Sequence, residues 1–215
     1  MAQLFPRWTN RIPLILGLAA PVIGVFLIGA VWYYGSPEYT DVGYRPHQPV
    51  PYSHKLHVGE LRLDCRYCHA TVEVSPVATI PPTKVCMNCH HVIKRDSELL
   101  APIRESLSSG RPMSWVRVHK LPDYAYFNHS VHVRAGVGCA SCHGQINEME
   151  EVTQVEPLSM GWCLDCHRSP APHLRPADQV TSMDWFPPAN QEELGREIMV
   201  ALDLHPPVDC SGCHR

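Results

Sequence analysis

The chain has 215 residues, of which 8% are aromatic and 21 are prolines, a composition that offers little material for a hydrophobic core. Its formal net charge of -3 leaves no basic surplus, which excludes nucleic acid as an expected partner. The length fits a single domain of ordinary size.

The first element is the uncharged stretch at residues 14–34, which follows a segment, 1–13, with two arginines and no acid. Its 21 residues, at a rise of about 1.5 Å each, are enough to cross a bilayer. Three aromatic residues at 32–34 suit a membrane interface. We predict a transmembrane helix here. A cleaved signal peptide is the alternative, but the run exceeds the usual apolar core of such peptides and no clear Ala-x-Ala site follows.

Positive charge before the span predicts that residues 1–13 are cytoplasmic and that the chain beyond the span lies outside the cytoplasm. The expected location is therefore a bacterial inner membrane, crossed once, with the larger part of the chain on the periplasmic side. Residues 35–51, which contain four prolines, are a predicted extended linker.

Five copies of the motif Cys-x-x-Cys-His contain all ten cysteines of the chain. This motif is typical of covalent haem c attachment, in which both thiols form thioethers with the porphyrin and the adjacent histidine binds the iron. Zinc sites and redox-active cysteine pairs are the alternatives, but neither requires a histidine directly after each pair. The cysteine pairs are Cys65 and Cys68, Cys86 and Cys89, Cys139 and Cys142, Cys163 and Cys166, and Cys210 and Cys213.

The predicted cofactors are five haem c groups. Their large apolar rings would supply bulk that the polypeptide lacks, so we expect folding to depend on haem attachment, as it does on structural metals. The predicted proximal iron ligands are His69, His90, His143, His167 and His214.

An internal repeat divides the predicted pentahaem domain, residues 52–215. The pattern aromatic-polar-His-x-x-His-Val precedes the first motif at residues 52–58 and the third motif at residues 127–133, and a further motif follows each. We predict a dihaem module at 52–110, a second at 115–175, and a C-terminal fifth haem at 205–215.

The paired histidines of this repeat are predicted distal iron ligands: His54, His57, His129 and His132. Two histidines three residues apart on a helical turn share one face, so each can serve a different iron. The fifth distal ligand is predicted at His119, with Met160 as the alternative. A thioether ligand would raise the potential of that haem.

The predicted fold class is mainly α and irregular, with haem groups as its core, one N-terminal transmembrane helix and little sheet. A helix is predicted from Leu99 to Leu107, ending at Gly110. Asn190 and Glu193 resemble a capping box at the start of another helix. The proline-rich segment 170–188 is expected to be extended.

The two dihaem modules resemble class III multihaem cytochromes of the c3 and c7 type. The wider pattern is similar to the pentahaem cytochrome c subunits of bacterial alternative complex III. The segments that carry this resemblance are 14–34, 119–122, 127–132, 138–139, 160–163 and 210–215.

This resemblance implies an electron-transfer subunit of a membrane quinol:electron acceptor oxidoreductase. It implies partners in the same complex: an iron–sulfur subunit, integral membrane subunits and a monohaem cytochrome c, with a terminal oxidase as a further acceptor. The quinol site would lie in another subunit.

Two protein ligands on each iron leave no position open for substrate, so the sequence favours an electron carrier without catalytic residues. A multihaem reductase is one alternative; it needs a five-coordinate iron, and no Cys-x-x-Cys-Lys motif is present. A stand-alone, membrane-anchored quinol dehydrogenase is another; its first haem is expected close behind the membrane helix, whereas Cys65 follows Gly35 by 30 positions.

Overall fold

A computed structural model describes residues 4–214, so that residues 1–3 of the predicted cytoplasmic segment and Arg215 of the predicted haem domain lie outside the described residues. The chain divides into two compact units, Met1–Asp41 and Val42–Arg215. The first is built around one long apolar helix. The second consists of short helices joined by turns and irregular segments.

The N-terminal unit is dominated by helix α1, Ile12–Tyr34, which follows a 3-10 turn at Arg7–Arg11. Within the helical stretch Arg7–Tyr34, an 18-residue window has a mean hydropathy of 2.6, and the stretch is long and apolar enough to cross a membrane. A signal peptide would meet the same criteria. The predicted apolar helix is confirmed as a helix, and the short helix α2, Pro37–Thr40, follows it.

The larger unit contains eight short α-helices among its described residues. They are α3 at Cys65–Cys68, α4 at Thr83–His90, α5 at Ala101–Ser109, α6 at His129–Arg134, α7 at Ala140–His143, α8 at Met160–Arg168, α9 at Gln191–Ala201 and α10 at Cys210–Cys213. A π-helical turn at Lys55–Glu60 and 3-10 turns at Glu98–Leu100, Ile146–Glu148, Ala171–His173 and Ala177–Gln179 complete the helical structure.

Strand pairing in residues 42–214 is limited to two isolated bridges, Ala125 with His214 and Val137 with Leu174. The prediction of a mainly helical and irregular fold with little sheet is therefore confirmed.

The protein core of this unit is small. Within the described part of the chain, the buried apolar side chains are Val50, Ile103, Ala171, Leu174 and Val180. The turn Ala171–His173 packs against α9, where Gly195 approaches the carbonyl oxygen of Ala171 so closely that a Cβ atom would not fit. The prediction of an extended chain at 170–188 is wrong here, because proline is compatible with the first positions of a helical turn.

The two predicted helices form, but both begin differently from the prediction. Leu99 and Leu100 belong to the 3-10 turn Glu98–Leu100, and α5 begins at Ala101. Helix α5 ends at Gly110, whose φ of 68° is the left-handed conformation that favours glycine. Helix α9 follows Asn190, but the Asn190 side chain makes no capping hydrogen bond. The predicted capping box is wrong because the Asn190 backbone, with φ -100° and ψ 31°, lacks the extended conformation of a capping residue.

Candidate haem sites

Five helical turns carry the cysteine motifs, and we number them sites 1 to 5 in chain order. Within each motif the cysteines lie three residues apart, so one turn presents both thiols on the same side. At site 1 the carboxylate of Asp64 accepts a hydrogen bond from Arg66 N–H at 2.8 Å, and at site 5 Asp209 accepts one from Gly212 N–H at 3.0 Å. These caps stabilise turns that are too short to be stable alone.

Most of the predicted iron ligands donate a ring N–H to a backbone carbonyl. Because a carbonyl oxygen only accepts, Nδ1 carries the proton and the lone pair of Nε2 stays available to a metal. The Nδ1 to oxygen pairs are His69 with Thr79 at 2.9 Å, His90 with Ile93 at 3.0 Å, His167 with Pro207 at 2.7 Å, His214 with Tyr124 at 3.0 Å, His57 with Ser53 at 2.8 Å, His129 with Pro76 at 3.0 Å and His132 with Asn128 at 2.8 Å.

Three predicted distal histidines lie across from a predicted proximal one. The ring centroids are 6.2 Å apart for His57 and His90, 6.1 Å for His132 and His167, and 6.5 Å for His129 and His143. A metal bound between two imidazoles, with metal–nitrogen distances of about 2 Å, places the ring centres roughly 6 Å apart. These pairs therefore fit an iron with two histidine ligands.

His54, the predicted distal ligand that remains, differs from the other three in that its Nδ1 lacks a hydrogen-bond partner. Burial, with the neighbouring His69 and His57, lowers the pKa of His54 to about 4, so this imidazole is neutral at pH 7. Its Nδ1 is buried without a hydrogen-bond partner. An orphaned buried imidazole nitrogen is costly, and only coordination of that nitrogen itself to a metal would remove its need for a hydrogen-bond partner.

At site 3, Nδ1 of the proximal histidine, His143, lies close to another side chain. The Nε2 atom of His119 lies 3.4 Å from Nδ1 of His143, and the two rings meet edge to face with centroids 4.4 Å apart. Burial and the nearby histidines lower the pKa of His143 to about 3, and burial also lowers the pKa of His119. The structure thus brings His119 to site 3, while Met160 is exposed at the start of α8.

An aromatic ring holds each histidine pair in the same way. Tyr52 stacks on His57 at 4.4 Å and meets His54 edge-on at 4.8 Å. Phe127 contacts His132 at 4.5 Å and His129 edge-on at 4.7 Å. The repeated aromatic position of the sequence is therefore a packing position that orients both imidazoles.

Arg175 is a residue that the sequence analysis missed. Its buried guanidinium contacts Gly138, next to Cys139 of site 3, and donates to the carbonyl oxygen of Ser182 at 3.0 Å. No periodicity or motif points to it, since it reaches site 3 only through the tertiary fold. A buried cation beside this site would attract an anionic group such as a haem propionate.

Zinc was the alternative for the cysteine motifs. Within residues 4–214, no three or more His, Cys, Asp or Glu side chains are grouped to hold a metal ion. A structural zinc site needs four such ligands around one point. The arrangement instead offers pairs of facing imidazoles beside pairs of thiols.

Comparisons with known proteins point to the same chemistry. Residues 125–215, which contain sites 3 to 5, match the family described as cytochrome c7 and related cytochrome c. Over 104 residues the chain is 35% identical to a protein of Nitratidesulfovibrio vulgaris named menaquinone reductase, multiheme cytochrome c subunit. This match covers 48% of each chain, so the chain spans about half the length of the curated relative it matches.

The larger unit thus contains a cytochrome c7-like multihaem region, and the chain is homologous to a multihaem cytochrome c subunit.

Proposed function

We propose that this chain is a membrane-anchored electron-relay subunit that binds five haem c groups, one at each of sites 1 to 5. The observation that carries the proposal is the set of facing histidine rings at 6.1, 6.2 and 6.5 Å, with Nδ1 of the distal ring fixed by a carbonyl in each. Each haem supplies a one-electron ferric/ferrous couple when bound.

The proposed distal ligands follow from these contacts. His57 serves site 2, His129 serves site 3 and His132 serves site 4, because each faces the proximal histidine of that site. His54 serves site 1, where it is buried near His69.

These assignments leave site 5 without a distal ligand, and His119 and Met160 are the remaining candidates for it. To reach that iron, His119 would have to give up its contact with His143. Substitution His119→Gln distinguishes the two. If His119 is the ligand, the variant gains a high-spin haem signal in its EPR spectrum; if Met160 is the ligand, the EPR spectrum stays low-spin.

Two protein ligands per iron leave no coordination position for a substrate, which supports a carrier rather than an enzyme. The residues of the chain hold, orient and enclose the cofactors. A substantial high-spin EPR signal in the unmodified protein would favour a multihaem reductase instead.

The complex that we propose is of the alternative complex III type, a membrane quinol:electron acceptor oxidoreductase of the respiratory chain. Its other members would be an iron–sulfur subunit, integral membrane subunits and a monohaem cytochrome c. Helix α1 would anchor the chain in a bacterial inner membrane, with sites 1 to 5 on the periplasmic side. The homology to a menaquinone reductase subunit favours a second candidate, in which electrons flow towards quinone.

Gentle purification of the full chain from its native membranes tests the proposal. We expect the chain to stay in the membrane fraction after alkaline washing and to co-purify with iron–sulfur and integral membrane subunits. We expect the complex, but not the isolated chain, to react with quinol. Recovery of the chain alone, or quinol oxidation by the isolated chain, would contradict the proposal and favour a stand-alone quinol dehydrogenase.

A further inference from the structure

Sites 1 and 2 are neighbours. Asn88 lies between the two cysteines of site 2, and Tyr67 lies between those of site 1. The side-chain amide of Asn88 donates to the hydroxyl of Tyr67 at 3.1 Å. The two motifs of the first module are therefore in direct contact.

Site 1 is also a neighbour of site 3, in the other module. The carbonyl oxygen of Val180 accepts a hydrogen bond from Cys139 N–H at 3.0 Å. The hydroxyl of the next residue, Thr181, donates at 3.0 Å to Asp64, which immediately precedes Cys65. Two consecutive residues, Val180 and Thr181, thus bind the first residue of the site 3 motif and the residue before the site 1 motif.

Reciprocal contacts between the modules agree with this placement. Lys55, on the first histidine-bearing turn, donates its N–H to the carbonyl oxygen of Met149, in the loop beyond site 3. Ser130, on the second, donates its N–H to the carbonyl oxygen of Ser75, in the loop beyond site 1. Each histidine-bearing turn therefore binds the loop after the first site of the other module, which agrees with sites 1 and 3 being neighbours.

Helix α6 links sites 3 and 4. His129 faces His143 of site 3, and His132, three residues later, faces His167 of site 4. One short helix therefore places a histidine at each of two adjacent sites.

Site 4 is joined to site 5. Nδ1 of His167 donates to the carbonyl oxygen of Pro207 at 2.7 Å, three residues before Cys210. On the other side of site 5, Tyr126 N–H donates to the carbonyl oxygen of Cys213 at 2.8 Å, in the segment that leads into α6. Both contacts place site 5 beside the second module.

We propose that the five sites form one continuous series in the order 2–1–3–4–5, which departs from chain order, and that redox partners exchange electrons at sites 2 and 5. The inference rests on the proposed function, since it supposes a haem at every site. Each exchange passes one electron: the donor centre is oxidised by one electron, the next centre is reduced by one, and no bond or proton moves.

The exposure of two cysteine residues supports these two ends. Cys89 of site 2 and Cys210 of site 5 are exposed, whereas the other eight cysteines are partly buried. Tunnelling rates fall steeply with distance, so a partner that delivers or removes electrons needs a site at the surface. The end sites meet that requirement.

Cryo-electron microscopy of the full chain in the complex isolated from native membranes tests the order, because thioether density identifies each haem by its cysteine pair. We expect the irons of four pairs of sites to be nearest neighbours: sites 2 and 1, sites 1 and 3, sites 3 and 4, and sites 4 and 5. We also expect the metal centres of the partner subunits to lie nearest to sites 2 and 5.

Five haems in any other order, or a partner centre nearest to site 1, 3 or 4, would overturn the inference and leave the proposed function standing. Fewer than five haems would contradict the proposed function itself. The two failures are therefore distinguishable in the same map.

Discussion

Removing the imidazole of His57 should convert a single haem from low to high spin. His57 faces His90 with ring centroids 6.2 Å apart, and Tyr52 stacked on it at 4.4 Å fixes its orientation. In His57→Ala the iron of site 2 loses its distal ligand, while four sites keep theirs. We therefore expect about one fifth of the iron to become high-spin, measured by EPR of the oxidised full-length protein.

His91→Ala is the matched control, because His91 directly follows His90 and its Nδ1 bonds the carbonyl of Met87 in its own helix, at 2.9 Å. This variant should keep the original low-spin spectrum. His57→Met should also stay low-spin, with a raised potential at one site, because a thioether ligand replaces an imidazole. A fully low-spin His57→Ala protein that retains all five haems would refute the ligand assignment at site 2.

Three further variants, two of them with a control variant, test the packing and electrostatics of the larger unit. Asn128→Ala removes the N-cap of α6, whose side chain accepts from Ser130 N–H at 3.0 Å, and should lower the free energy of unfolding by about 1 kcal/mol. Asn190→Ala, at a cap position without that hydrogen bond, should lower the free energy of unfolding by only about 0.3 kcal/mol. Guanidinium titrations measure both losses, and equal losses would contradict the capping account. Leu174→Ala, at a side chain that is 2% exposed, should lower the free energy of unfolding by roughly 2–5 kcal/mol in the same titration. A loss below about 1 kcal/mol would argue against a core at this position. Arg175→Gln removes a buried cation near site 3. At roughly 10 Å and an effective dielectric constant of about 20, that charge contributes about 1.7 kcal/mol. Redox titration should therefore show one potential lowered by roughly 70 mV. The control Arg111→Gln, at an exposed arginine outside the cysteine motifs, should change none.

The local parts of this structure could be predicted from sequence because their causes are local. The spacing within each cysteine motif, the histidine pairs and the repeated Tyr52 and Phe127 are set by residues close in the chain. The apolar helix at residues 14–34 follows from composition alone. These features needed no knowledge of how distant segments pack.

The tertiary relations could not be predicted in the same way. Motif spacing does not predict the contact between Asn88 and Tyr67. Nor does it predict the hydrogen bond from Thr181 to Asp64, which lies 117 positions away in the chain. Nothing in the sequence distinguishes Arg175 from an exposed charged residue, and only the tertiary fold places it beside Gly138. Asn190 shows the opposite limit. The sequence pattern of a capping box is present there, but no capping hydrogen bond forms, because the backbone adopts another conformation.

Mass spectrometry of the full-length protein purified from its native membranes tests the central claim most directly, because thioether bonds survive denaturation. The account predicts a chain that carries five covalent haem groups, with each haem-bearing peptide containing one of the five cysteine pairs. A bare polypeptide, or fewer than five haem additions, would contradict it.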